Sequence, residues 1–231
     1  MSKRSLILAA TLVVAASAAP AAELSVVPAL TSDYAFRGIS RSALDPAASL
    51  RLAVDGGQGL FGAFTASSVD FGRGGPDLEL LPELGLRLGT VEGVAFDTGV
   101  RYFAYDGESD LNHAELWFGA RRGGLALRTD LSWDFFGTGE SAWHVEGTWE
   151  QPLREGFRLQ ASVGYSGGDY WDRFYGDGYV DFSIGAARRF GHFDIALAYV
   201  NADLPDGPSD VFSTDGRLWL SLKTVLPWSA D

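Results

Sequence analysis

The fold is first indicated by the stretch Leu30–Ser42, which reads LTSDYAFRGISRS and alternates in side-chain character. Asp33 and Arg37 fall on one face of an extended chain, and Tyr34 and Phe36 fall on the other. A period of two residues is the signature of a β-strand with two different faces. Because the same alternation recurs along the whole sequence, it predicts an all-β protein.

Working outward from this stretch, the sequence predicts about twelve antiparallel strands. They span Val26–Arg37, Ala48–Asp55, Leu60–Phe71, Leu78–Leu88, Val94–Tyr105, Asn112–Arg122, Leu125–Phe136, Trp143–Glu150, Phe157–Ser166, Tyr179–Phe190, Phe193–Ala202 and Arg217–Leu226. Short connections, such as Gly123–Gly124, alternate with longer ones, such as Gly167–Gly178. A two-residue turn at Gly123–Gly124 pairs Arg122 with Leu125, which keeps the polar faces of the two strands on one side.

Three features favour a membrane barrel over a soluble periplasmic β-sandwich or a lipocalin-like barrel. Charged residues recur in the middle of strands on one face, where a dry protein core would not tolerate them. Aromatic residues cluster near strand ends, and the connections alternate in length. The sequence therefore predicts an antiparallel up-and-down transmembrane β-barrel, with short periplasmic turns and longer extracellular loops.

The first 22 residues have the organisation of a secretory signal. Lys3 and Arg4 precede the apolar run Leu6–Ala16, and small residues follow at Ala19–Ala21. The apolar run is too short to span a bilayer, which takes about 20 residues. We expect a cleaved signal at residues 1–22 and a barrel at residues 23–231, exported through the periplasm to the bacterial outer membrane.

Composition argues against several functions. The formal net charge of −12 is unfavourable for binding nucleic acid. The 231 residues include no cysteine, so a thiolate metal site and a cysteine nucleophile are excluded. His113, His144 and His192 are far apart and lack metal-ligand spacing. With no phosphate-binding glycine loop either, we expect no metal and no cofactor.

A family resemblance supports the barrel prediction. The runs Thr31–Tyr34 and Phe36–Gly38, with Ser40, resemble the N-terminal signature of the TorF-family porins, which are outer-membrane proteins of the Gcw_chp type. The resemblance continues through Gly62–Phe71 and Leu78–Gly85. It implies a barrel in the outer membrane more firmly than it implies any particular activity.

The leading functional hypothesis is a porin with a narrow channel for small polar solutes, because twelve strands lie between filled small barrels and open porins. The predicted pore-lining residues are Arg37, Arg51, Glu79, Arg87, Arg101, Glu115, Arg128, Asp130, Asp134, Glu146, Glu150, Arg158, Arg217 and Lys223. The alternative is a closed barrel whose charges pair across strands, as Arg101 would with Glu115. The other expected partners are outer-membrane lipids and lipopolysaccharide, and the oligomeric state stays open.

The distribution of these charges predicts an electric field across the lumen. Basic residues would form one wall, and acidic residues of the seventh and eighth strands would form the opposite wall. The basic set is Arg37, Arg51, Arg217 and Lys223, and the acidic set is Asp130, Asp134, Glu146 and Glu150. Such a field would orient dipolar or zwitterionic solutes. The alternative is that nearer neighbours neutralise each wall, as Asp33 and Asp55 would beside the arginines and Arg128 would beside Asp130.

Two further hypotheses remain open. A symmetric turn around Thr138 would set Ser132 opposite His144, with Asp130 and Glu146 beside them, as in a barrel-wall hydrolase. No nucleophile elbow is present, and the prediction is that the protein is not an enzyme. The aromatic loop Gly167–Gly178 could instead bind a surface ligand, and the acidic loop Asp203–Gly216 could bind divalent cations.

Overall fold

The computed structural model describes residues 23–204 and 212–228. The predicted signal at residues 1–22 lies outside the described residues, as do Asp206 and Asp210 of the acidic loop. Within the described residues, no helix has both the length and the apolar character needed to cross a membrane.

Fourteen strands account for most of the described chain, and twelve of them close into one barrel. The strands are β1 Glu23–Thr31, β2 Ala35–Phe36, β3 Ile39–Ser40, β4 Ala47–Gly57, β5 Leu60–Ser68, β6 Leu78–Val91, β7 Val94–Tyr105, β8 His113–Arg122, β9 Leu125–Ser132, β10 Ala142–Pro152, β11 Phe157–Gly167, β12 Tyr179–Phe190, β13 Phe193–Ala202 and β14 Arg217–Thr224. Helix α1 spans Asp169–Tyr175, and short 3-10 helices span Ser109–Leu111 and Phe135–Gly137.

Neighbouring barrel strands are antiparallel, and β14 closes the ring against β1. The predicted register at the Gly123–Gly124 turn is confirmed, since Arg122 pairs with Leu125. A two-residue turn fixes the register because its length allows only one pairing of the two strands. A slip by one residue would move every polar side chain to the apolar face.

The two faces of the wall are sharply different. Large apolar side chains stay exposed on the outer face, such as Val163 at 57% and Leu218 at 71% exposure. Charged side chains are buried on the inner face, such as Glu115 at 2% and Asp130 at 3%. A water-soluble sandwich would bury the first set and expose the second. The predicted twelve-stranded antiparallel barrel is therefore confirmed.

Several predicted strand boundaries were wrong, and the largest error concerns the stretch that indicated the fold. The wall strand β1 ends at Thr31 rather than Arg37, and β2 and β3 pair with each other instead of joining the wall. Arg37 and Gly38 have positive φ angles of 52° and 77°, which turn the chain back into a hairpin. Of the alternating residues only Ala35 and Phe36 form a strand, and this segment lies inside the barrel.

Candidate functional site

The segment Asp33–Ser42, which contains the β2–β3 hairpin, fills the lumen at the end with the longer loops, and we call it the plug. Its first anchor is Arg37, whose two terminal nitrogens donate to the Glu115 carboxylate at 3.0 and 2.9 Å. Arg101 donates to the same carboxylate from β7 at 2.9 and 2.6 Å. Charge-assisted bidentate pairs of this kind are strong and directional, so the plug is fixed to the wall.

The second anchor is Arg41, which binds residues of β6 and β7. Arg41 donates to Glu79 at 2.5 Å and to the hydroxyl of Tyr105 at 3.1 Å. Tyr34 donates its hydroxyl to the other oxygen of Glu79 at 2.7 Å. Glu79 and Arg41 are only 1% and 4% exposed, so each charge depends on the other for compensation.

The third anchor joins the plug to β14. Arg217 donates to Asp33 at 2.6 Å, and Trp219 donates its ring N–H to the Asp33 carbonyl at 2.8 Å. Ser40 and Ser42 donate to Asp33 from within the plug. The plug is thus held on several sides of the ring rather than at one edge.

Aromatic residues cover the plug on its loop side. Phe135, Trp171 and Tyr179 are buried in one cluster, with Tyr170 and Ile39 packed against it. The loop Gly167–Gly178 therefore does not present all its aromatic residues to an external ligand or to lipid. Burial raises the pKa of the Tyr170 phenol, which keeps this group neutral in the aromatic cluster.

A cavity of about 390 Å³ lies under the plug, in the middle of the barrel. Arg101, Arg128 and Asp130 line one part of it. Glu146, Asp181 and His144 line another part, together with Ser162 and Ser183. The volume is in the range of cavities that hold small organic ligands.

Two further cavities lie toward the short-turn end. The larger, of about 580 Å³, is lined by Glu150, Arg158 and Lys223 among others. There Arg158 forms a bidentate pair with Asp194 at 2.7 and 2.6 Å. The smaller, of about 280 Å³, lies around Arg87. Polar cavities thus follow one another from the short-turn end up to the plug.

The structure assigns the predicted lining residues to three places. Arg37 belongs to the plug and not to the wall. Asp134 follows β9 in an exposed loop, where it accepts a hydrogen bond from Gly139 N at 2.6 Å, because β9 ends at Ser132. The wall strands carry the others, namely Arg51, Glu79, Arg87, Arg101, Glu115, Arg128, Asp130, Glu146, Glu150, Arg158, Arg217 and Lys223.

The predicted separation into a basic and an acidic wall was wrong. Arg37 reaches across the lumen to Glu115 and lies 3.5 Å from Asp130. Arg51 pairs with Glu83 at 3.2 Å, and Arg217 is bound by Asp33. Buried charges need close partners, so most of the field that the sequence predicted is cancelled locally.

The geometry of the proposed hydrolase site was also wrong. Ser132 pairs with Ala142, and His144 pairs with Asp130, because the turn closes two residues earlier in β10 than predicted. His144 Nδ1 instead lies 2.8 Å from Ser166 Oγ, and the same nitrogen lies 3.8 Å from Asp181. A nucleophile–base–carboxylate relay needs both ring nitrogens, so these groups do not form one.

Sequence reasoning missed the plug anchors Arg41 and Tyr34 and the Asp33 contact to Arg217. A usable signal was present, since an Arg-Gly pair followed by Ser-Arg-Ser interrupts the alternation at Gly38. Among the described residues no cluster of three or more His, Asp or Glu side chains could hold a metal ion.

Comparisons with known proteins now give the chain its family. The sequence model of one family, described as bacterial protein of unknown function (Gcw_chp), matches residues 15–221. The chain belongs to the Gcw_chp family. This confirms the Gcw_chp part of the resemblance seen in the sequence, whereas the narrower TorF assignment stays a prediction. A search of curated proteins finds no match to the chain.

Solved structures similar to this Gcw_chp protein include porins. The NanC porin superposes with a TM-score of 0.56 at 10% identity, covering 88% of this chain and 98% of that one. The KdgM porin, solved in complex with disordered oligogalacturonate, gives 0.54 at 6% identity, covering 87% and 97%. At such low identity the likeness shows a shared fold, which is that of outer-membrane porins.

Proposed function

We propose that this protein is an outer-membrane channel for small polar solutes in which the plug forms the constriction. The observation that carries the proposal is the series of polar cavities that leads from the short-turn end to the plug. A barrel with a purely structural role has no need of such an interior. The plug is a separate segment, since its hairpin pairs with no wall strand, and it can in principle move without opening the barrel.

The porin-like fold supports this proposal and its location. Barrels of this kind place short turns on the periplasmic side and longer loops outside. We therefore infer that the plug and the aromatic cluster that covers it face the cell exterior and that the cavity of about 580 Å³ opens to the periplasm. Outer-membrane lipids would contact the apolar outer face, and lipopolysaccharide would surround the longer loops. Within the family, a TorF-type porin fits this inference.

Planar-bilayer recording tests the channel. We expect a small unitary conductance from the folded wild type and a larger one from a double variant, Arg37→Ser with Arg41→Ser, which removes two plug anchors. Arg51→Ser is the matched control, because Arg51 is also ion-paired but lies on the wall. If Arg51→Ser raised the unitary conductance as much as the double variant does, the effect would come from the charge in the lumen and not from the plug.

A closed, non-conducting barrel is the second candidate. It is favoured by the burial of the anchors, since Arg41 and Glu79 are nearly inaccessible to solvent. Opening such a plug exposes charges that are compensated only in the closed state. If neither the wild type nor the double variant conducts above baseline, the channel is refuted and the closed barrel stands.

A further inference from the structure

The charges around the central cavity do not balance pair by pair. Three guanidinium groups, of Arg37, Arg101 and Arg128, share two carboxylates, Glu115 and Asp130. All five side chains take part in this one network. The network therefore has no carboxylate oxygen left without a cation and carries one excess positive charge.

Two other carboxylates that line the cavity stand outside this network. Neither Glu146 nor Asp181 forms an ion pair with an Arg or Lys side chain within the described part of the chain. Asp181 is only 4% exposed, and its Oδ2 atom has no hydrogen-bond partner there. A buried carboxylate without a partner is costly, so this position calls for a donor.

The strand register places these two carboxylates on either side of a glycine. Glu146 of β10 pairs with Gly164 of β11, and Gly164 pairs with Asp181 of β12. Two strand spacings separate the carboxylate-bearing Cα atoms by about 10 Å, and both residues line the central cavity.

The side chains around Gly164 leave no room for a Cβ atom at this position. A Cβ atom at this position would lie 2.5 Å from His144 Cε1 and 2.6 Å from Asp181 Oδ2. The glycine has an ordinary strand φ, so it is required by space rather than by backbone conformation. The His144 ring and the Asp181 carboxylate therefore pack against the bare backbone of Gly164, and both residues line the cavity together with Glu146.

A hydrogen-bond donor without a partner among the described residues lies beside these carboxylates. Arg128 pairs across the strands with Glu146, in the same row as Gly164 and Asp181. Its Nε atom donates to Asp130 at 2.9 Å, and its guanidinium lies 4.4 Å from the Trp117 ring centre. Its Nη2 atom has no partner among the described residues. Arg128 is thus held in place with one nitrogen available.

We propose that the central cavity binds a small zwitterion, with its ammonium group between Glu146 and Asp181 and its carboxylate on Arg128. An ammonium group supplies the donor that Asp181 Oδ2 lacks and a cation for Glu146, and a carboxylate accepts from the unpaired Arg128 nitrogen. A metal ion fits less well, because a hard cation requires more oxygen ligands than this pair provides. The inference deepens the proposed function, since it names the class of solute.

Three probes of equal chain length test the pattern of charges. Calorimetry on the folded protein in detergent would compare 5-aminopentanoate, pentylammonium and pentanoate. The first carries both charges, the second only the positive charge and the third only the negative charge. We expect the zwitterion to bind at least about tenfold more tightly than either singly charged probe, because each charge-assisted contact contributes that much or more. Equal affinity for all three, or no binding of the zwitterion, would overturn the proposal.

Matched variants locate the site. Asp181→Asn and Glu146→Gln should each weaken binding of 5-aminopentanoate at least about tenfold while leaving pentanoate unaffected. Glu150→Gln is the control, since it makes the same change on β10 but in the cavity of about 580 Å³ at the short-turn end. Gly164→Ala should also weaken zwitterion binding, because its Cβ would displace the His144 ring and the Asp181 carboxylate. A loss in Glu150→Gln as large as that in Glu146→Gln would refute the assignment.

This test is independent of conductance. Zwitterion binding without current in the double plug variant would support the site and refute the channel. Current without zwitterion binding would support the channel and refute the site. Heat-modifiable migration on a gel establishes that each variant is folded before its affinity is compared.

Discussion

The sharpest prediction concerns Glu115, the carboxylate that joins the plug to the wall. Glu115 is 2% exposed and accepts four hydrogen bonds from two guanidinium groups, Arg37 and Arg101, at 2.6 to 3.0 Å. Glu115→Gln keeps the shape of the side chain and removes its charge. The two guanidinium groups then share Asp130, which lies 3.5 Å from Arg37 and 2.9 Å from Arg101.

The expected size of this effect follows from the burial of the pair. Removing one partner of a buried ion pair destabilises by about 3–5 kcal/mol. On the wall, Arg101 cannot leave the lumen, but the plug can carry Arg37 into water. The free energy of plug opening should therefore fall by about 3 kcal/mol. Since each 1.4 kcal/mol is a factor of ten, the open population should rise roughly a hundredfold.

Thiol labelling measures this opening directly, because the chain contains no cysteine of its own. Ile39→Cys places one thiol on the plug, where Ile39 packs against the buried aromatic cluster. The labelling rate by a bulky maleimide should rise roughly a hundredfold when Glu115→Gln is added to this background. Glu150→Gln in the same background should leave the labelling rate within about a factor of two of the parent rate. Glu150 is exposed and lines the cavity at the short-turn end, far from the plug. A Glu115→Gln rate within twofold of the parent would refute the anchoring role.

Three other outcomes test the barrel itself. Val163→Arg, on the outer face, should lower the free energy of unfolding by about 2–4 kcal/mol, measured by urea unfolding from lipid vesicles. Ser162→Arg, which faces the central cavity, should lower it by less than about 1 kcal/mol. Equal losses would refute the assignment of faces. Gly38→Ala should raise the labelling rate of the plug thiol far more than Gly107→Ala does. Both glycines have a φ of 77°, so the backbone strain is matched. Only the first substitution would place a Cβ atom 2.8 Å from Ala202 and Asp181. Unboiled protein should migrate differently from boiled protein on a gel, and a single shared position would contradict a stable barrel.

The sequence predicted the architecture because its determinants are local. Alternation with period two identifies the strands and also says which face is apolar. In β11, Leu159 and Val163 point outward while Gln160 and Ser162 face the lumen, as their spacing predicts. Short glycine turns then fix the register of each hairpin. The pairing of Arg101 with Glu115 was also correctly predicted, from a symmetric closure of the longer loop Asp106–Leu111.

Longer connections were harder to predict, because several closures are compatible with one loop. The prediction for the loop between β9 and β10 assumed symmetry around Thr138 and was two residues off. A 3-10 helix at Phe135–Gly137 and a backbone hydrogen bond from Phe135 N to Glu140 O tighten this loop. That small difference moved Ser132 away from His144 and brought Asp130 opposite it.

The sequence by itself determined the barrel, its strand number and the identity of most inward charges. Only the tertiary structure decided that the residues following Thr31 leave the wall and fill the lumen. Alternation fixes an extended conformation but not the partner of the extended segment, and here the partners are distant side chains. Arg37 binds Glu115, 78 residues away, and Asp33 binds Arg217, 184 residues away. Such contacts exist only once the ring has closed, which is why a local pattern cannot specify them.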